Sequence, residues 1–146
     1  VEKATAIAIA PGEVVIGADT AVVLGEAVFG KPRDSDDALA MLAALSGKTH
    51  QVMTGLAVAT SGGVETAVSV TDVRFRDIHP DEARRYWQSG EPRGKAGAYA
   101  IQGRGGVFVE AIIGSYTAVV GLPVFETGRL LAAAGLAIPP EPDRST

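Results

Sequence analysis

Val15-Ile16-Gly17-Ala18-Asp19-Thr20, with Gly30-Lys31-Pro32 shortly after it, is the stretch from which the rest of this chain can be read. Val14 to Ile16 are three β-branched residues ahead of a glycine, which reads as the end of a buried strand. Asp19 is then expected to leave the sheet at a strand end, where open α/β sheets place their ligand chemistry. A carboxylate there can bind a divalent cation or take a proton from water, and a nearby lysine can neutralise phosphate oxygens. The alternative is an Asx-type turn with Lys31 solvated. These residues by themselves leave both readings open.

Outward from that stretch, helical and strand patterns interleave. Val1 to Ala10 is Ala-rich and helix-favouring, and Pro11-Gly12 ends it. A strand is expected at Val14 to Gly17, and a second apolar stretch at Ala21 to Leu24 leads to Val28-Phe29. Ser35 reads as an N-cap with Asp36 and Asp37 behind it, and Ala38, Met41, Leu42 and Leu45 fall on one helical face. Val52 to Thr60 and Val64 to Phe75 are β-favouring runs joined at Ser61-Gly62-Gly63. Pro80 opens a helix with Ala83, Tyr86 and Trp87 on one side, and Trp87 reads as a packing residue. Val107 to Ile113 and Tyr116 to Val120 read as a second hairpin around Gly114-Ser115, and Pro123 opens a last helix to Ala134. The pattern predicts an α/β domain over 1–137 and a flexible tail over 138–146. Two hairpins exclude an all-parallel sheet, so a mixed, twisted sheet flanked by helices is expected.

Composition narrows the function classes. The chain has 146 residues, a net charge of -4 and no cysteine. One domain with a real core is possible at this length. The acidic balance argues against nonspecific nucleic-acid binding, and no apolar run is long enough for a membrane span. Without cysteine there is no disulfide framework, thiolate zinc site or cysteine nucleophile, which fits a reducing cytoplasm. Gly103-Arg104-Gly105-Gly106 lacks the ending of a P-loop, and His50 and His79 have no metal-like spacing. Arg74 and Arg76 alternate along a strand and read as a solvated face.

Further motifs follow in order: Leu45-Ser46-Gly47-Lys48-Thr49-His50-Gln51-Val52-Met53-Thr54, Glu91-Pro92 ahead of Lys95-Ala96-Gly97-Ala98-Tyr99-Ala100-Ile101-Gln102-Gly103, and Val119-Val120-Gly121-Leu122-Pro123. Their order and spacing, from about Val1 to about Leu131, resemble the Maf family of nucleotide pyrophosphatases. Gly17-Ala18-Asp19-Thr20 and Ala100-Ile101-Gln102-Gly103 are similar to the branch acting on dTTP and UTP. The resemblance implies a two-lobed, inosine-triphosphatase-like architecture with a curved mixed sheet and a central cleft. It implies hydrolysis to a nucleoside monophosphate and pyrophosphate, a divalent cation (Mg²⁺ or Mn²⁺) and a cytoplasmic homodimer. A 7-methyl-GTP pyrophosphatase of the same family, or a nucleotide-binding regulator of cell division without turnover, are the alternatives. The family opens with a Ser-rich, Pro-Arg-Arg phosphate loop and a later acidic residue, whereas this chain opens at Val1-Glu2-Lys3-Ala4, similar to a later family helix. The chain is therefore expected to lack that segment and, alone, to be nearly inactive.

Within this resemblance the catalytic acid falls on Asp19, as base or metal ligand. Lys31, Lys95 and Lys3 are the candidates for phosphate charge stabilisation, Lys3 on the resemblance alone. Base choice falls to Gln102 and Thr20, with weaker contributions from Tyr99 and Gly103. A glutamine amide offers both a donor and an acceptor, the complement of a uracil or thymine edge. The alternative for Gln102 is an amide that stabilises its loop.

Overall fold

Ten residues of β1, Val15–Leu24, form one unbroken strand through Asp19. The computed structural model describes residues 9–136. Lys3, most of the expected first helix and the expected tail lie outside them. Then come β2 (Ala27–Phe29), α1 (Ser35–Leu45), β3 (Thr49–Thr60), β4 (Gly63–Phe75), α2 (Pro80–Gln88), β5 (Val109–Ile113), α3 (Tyr116–Val120) and α4 (Val124–Ala133). Short 3-10 turns at Ala96–Ala98 and Arg104–Phe108 punctuate the segment between α2 and β5. The five strands lie in the order β2-β1-β3-β4-β5, and every pairing among the described residues is antiparallel. A helix-flanked sheet that is not all-parallel is thus present, in its antiparallel form.

The β3–β4 hairpin turns at Ser61-Gly62 as its sequence predicts, with Gly62 N–H donating to Thr60 Oγ1 at 3.2 Å. One face of the sheet is buried under helices. Val22 lies opposite Val52, and Val52 opposite Thr71, and all three are buried. Ala38, Met41, Leu42 and Leu45 of α1 pack there with Phe75, Tyr86, Tyr99 and Phe108. Burying each large apolar side chain in this way contributes about 1.5–3 kcal/mol. On the reverse face Met53, Val68 and Val70 are exposed, while Ala57 and Ala59 are buried beside Ile9 and Val15.

Three local expectations are corrected. Asp19 is not at a strand end, because the stretches on either side of it are one strand paired to β3 from Val15 to Val23. Ser35 is the first helical residue rather than the cap. Asp34, an equally good capping type one residue earlier, accepts from Asp37 N–H at 2.8 Å. Tyr116–Val120 is a helix rather than a strand. Its β-branched residues favour extension, but Ser115 caps it by accepting from Ala118 N–H at 3.1 Å. Thr71 Oγ1 accepts from Ser115 N–H at 3.0 Å, and Thr54 Oγ1 donates to Ala118 O at 2.8 Å. Tertiary hydrogen bonds here outweigh propensity. Arg76 also departs from the solvated-face reading, since its guanidinium makes a two-pronged pair with Glu82 at 3.1 and 2.9 Å.

His50 is fully buried in this core, with Nε2 2.7 Å from Tyr99 Oη and its ring edge-on to Phe75. Burial pushes its pKa from 6.5 down to about 4. The unfolded chain therefore takes up a proton that the folded protein refuses, and stability falls as pH drops from about 6.5 towards 4. Between pH 7.5 and 4.5 this group alone should remove roughly 2–3 kcal/mol. Guanidinium denaturation at the two pH values should show His50→Gln losing less stability than the parent by about that amount. An equal loss in both proteins would contradict the assignment.

Candidate functional site

β2 is short. It pairs only with Val22 to Leu24, so the flank of β1 from Val15 to Ala21 has no strand beside it among the described residues. A cavity of about 460 Å³ opens there, and three consecutive β1 residues, Ala18, Asp19 and Thr20, line it. Val22 and Val52 line it from the buried face, Val119 and Val120 from α3, and Lys31, Lys95, Tyr99 and Gln102 from loops. The structure thus gathers Asp19, Thr20, Lys31, Lys95, Tyr99 and Gln102 around one space. Lys3 lies outside the described residues, and Gly103 is not among the lining residues.

The two lysines come from separate segments held together by backbone. Gly97 N–H donates to Gly30 O at 3.1 Å, joining the Lys31 turn to the Lys95 turn. Gly97 sits at φ +72°, and a Cβ there would come 2.8 Å from Val22 Cγ2. The next residue, Ala98, is fully buried at φ +64°, a conformation that costs a non-glycine residue about 1–2 kcal/mol. Strain of this kind is concentrated at binding sites. Lys31, Lys95, Asp19 and Gln102 are all exposed at the rim. Asp19 lies opposite Gly55 of β3, so no side chain from that partner position crowds its carboxylate.

Thr20 has a defined hydrogen-bonding polarity. Its Oγ1 is 3.1 Å from Thr54 Oγ1, and the single Thr54 hydroxyl proton goes to Ala118 O. Thr20 must therefore be the donor to Thr54, which leaves its lone pairs as the acceptor it can offer a ligand. Tyr99 is buried and its hydroxyl is held by His50, so it serves the cavity as a wall rather than as an exposed polar contact. Burial also raises the Tyr99 phenol above its ordinary range.

Asp19 is the one acidic residue lining the cavity among the described residues, and no group of three or more potential metal ligands occurs among them. A single carboxylate does not make a protein cage for a cation. It does suit Mg²⁺, which keeps several waters and takes further oxygens from substrate phosphates. The residues present therefore fit a cation shared with substrate.

Sequence reasoning gave no role to Thr54, which orients Thr20, or to Glu91 and Tyr86, which hold the Gln102 loop. Glu91 stood in plain view as an acid in a Gly/Pro-rich loop beside a signature motif. Thr54 closes one of the quoted motifs, but a threonine in a β-favouring run is ordinary and gives no sign of its own of a site role.

In this α/β domain an acidic group, two cations and an amide stand around one cleft. The chain belongs to the family described as Maf-like protein, whose model matches residues 1–134. It is 59% identical over 118 residues to a dTTP/UTP pyrophosphatase of Saccharophagus degradans, covering 81% of this chain and 56% of that protein. It is 50% identical over 141 residues to a protein of the same name from Hahella chejuensis, covering 94% and 70%. A third, from Anaeromyxobacter dehalogenans, is 54% identical over 142 residues, covering 94% and 72%. The chain therefore spans little more than half the length of the first of these relatives. Among the described residues no helix is long and apolar enough to cross a membrane.

Because Gly97 packs against Val22, itself a lining residue, without room for a methyl group, Gly97→Ala should displace the Lys95 turn from Gly30. Overpacking and positive φ together should cost about 1–3 kcal/mol of stability, read by urea denaturation. A variant as stable as the parent would show that this contact does not constrain the rim.

Proposed function

We propose that the full-length protein hydrolyses dTTP and UTP between the α- and β-phosphates, releasing the nucleoside monophosphate and pyrophosphate. The observation that carries this reading is the single cavity lined by Asp19, Lys31, Lys95, Thr20 and Gln102, in a chain of the Maf-like family. Relatives at 50–59% identity are named dTTP/UTP pyrophosphatases, which supports the same substrates here.

Asp19 takes a proton from the attacking water as its oxygen bonds the α-phosphorus. The bond from that phosphorus to the bridging oxygen breaks, and the charge left on pyrophosphate is met by Lys31 and Lys95. Each such donor aimed at developing charge contributes roughly 3 kcal/mol to transition-state stabilisation. A divalent cation, Mg²⁺ or Mn²⁺, when bound would neutralise phosphate charge, and Asp19 is the residue to hold it. Gln102 and Thr20 read the base: Thr20 offers an acceptor to an N–H, and the Gln102 amide offers both a donor and an acceptor. Family membership is likewise the ground for proposing a homodimer that works in the cytoplasm, with septum formation as the process affected.

Two substitutions in the full-length protein test this. Asp19→Asn keeps the shape and removes the base, so turnover should collapse by about 10²-fold or more while the fold survives. Wild-type rates from that variant would refute the assignment. Gln102→Glu places a second acceptor against the base carbonyl. It should cut kcat/KM for dTTP and UTP about tenfold to hundredfold relative to CTP and GTP. An equal fall for all four nucleotides would make Gln102 a loop support.

A further inference from the structure

We propose that Glu91 and Tyr86 form a clamp that positions the Gln102 turn, making them positioning residues for base selectivity. This rests on the reading of Gln102 as the residue that meets the base, and adds what holds it in place.

The turn is fastened on both sides of Gln102. Before it, Ala100 N–H donates to Tyr86 Oη at 3.0 Å. After it, Arg104 N–H donates to Glu91 Oε1 at 2.8 Å and Gly105 N–H donates to Glu91 Oε2 at 2.9 Å. The two anchors are themselves joined, because the Tyr86 hydroxyl donates to Glu91 Oε2. The turn closes on itself through Gly103 N–H to Ala100 O at 3.2 Å. Gln102 thus stands exposed at the tip of a backbone loop whose flanks bond to one carboxylate–phenol pair.

The glycines on the far side follow from the same contact. A Cβ on Gly103 would collide with the Glu91 carboxylate. One on Gly105 would lie 2.5 Å from Tyr86 Oη and 2.8 Å from Ala100 O. The backbone approaches the clamp more closely than any side chain permits. Tyr86 is buried and belongs to α2, so the loop is referenced to the rigid core rather than to solvent. Burial works to raise the Glu91 pKa, but the Tyr86 hydroxyl and the two backbone N–H groups prevail and hold it below its ordinary value. Glu91 does not line the cavity, and neither does Tyr86, so both act through the turn.

A carboxylate is required because it accepts at both oxygens. In Glu91→Gln one of the two backbone donors meets an NH₂ group, and the turn loses half its fastening on that side. In full-length protein, Glu91→Gln should lower kcat/KM for UTP about tenfold, chiefly through KM, and lower the UTP-to-CTP preference about fivefold. Inhibition by inorganic pyrophosphate, which has no base, should change less than about twofold. Tyr86→Phe removes the acceptor for Ala100 N–H and should move the same readouts in the same direction. Because the two groups share one network, the double variant should lose less than the sum of the singles. Should Glu91→Gln fail to fold, Tyr86→Phe decides. A folded variant whose UTP and CTP turnover fall equally, or whose preference is unchanged, would overturn the clamp. If the unmodified protein turned over neither dTTP nor UTP, the functional reading itself would fail, a result distinct from an unchanged preference.

Discussion

Among the described residues, β1 is paired along Val15 to Val23 on one flank and along Val22 to Leu24 on the other, and the cavity opens beside the flank that β2 leaves uncovered. A strand whose flank is not taken up by a neighbour presents backbone and side chains together. Along that flank, Ala18 to Thr20 line the cavity. The early end of β2 also frees Gly30 to receive the Gly97 N–H, which brings the Lys31 and Lys95 segments together.

Around that opening, rigidity is supplied by polar contacts anchored in the core. Thr54 gives its proton to Ala118 O and so fixes both the position of α3 and the polarity of Thr20. His50 holds Tyr99 from behind, and Glu91 with Tyr86 holds the Gln102 turn. In each case a residue away from the exposed rim holds one that lines the cavity or its turn. Such support is what keeps binding groups within the narrow tolerances recognition requires.

Much of this was legible in the sequence, for identifiable reasons. Ala38, Met41, Leu42 and Leu45 announced the buried face of α1 because helical period and burial coincide there. Ser61-Gly62-Gly63 announced the β3–β4 turn because few residue types allow so tight a reversal. The motif residues Asp19, Lys31, Lys95 and Gln102 do converge, although nothing local in the chain required it. What was not legible depended on distant partners. Tyr116–Val120 reads as a strand from its β-branched residues, and the Ser115 cap together with bonds to Thr54 and Thr71, far off in sequence, makes it a helix. Asp19 was expected at a strand end because Gly17 looked like a stop. It lies instead within a strand whose neighbour β2 stops short of it among the described residues, a property of a different segment.

The central claim is that one nucleotide is held in this cavity with its base read by Gln102 and its phosphates met by Lys31 and Lys95. A crystal structure of the full-length protein with a non-hydrolysable α,β-imido analogue of UTP tests it most directly. The uracil edge is expected within hydrogen-bond distance of the Gln102 amide, with phosphate oxygens at both lysines and the α-phosphate beside Asp19. A nucleotide bound outside the cavity, or one whose triphosphate rather than base lies at Gln102, would contradict it.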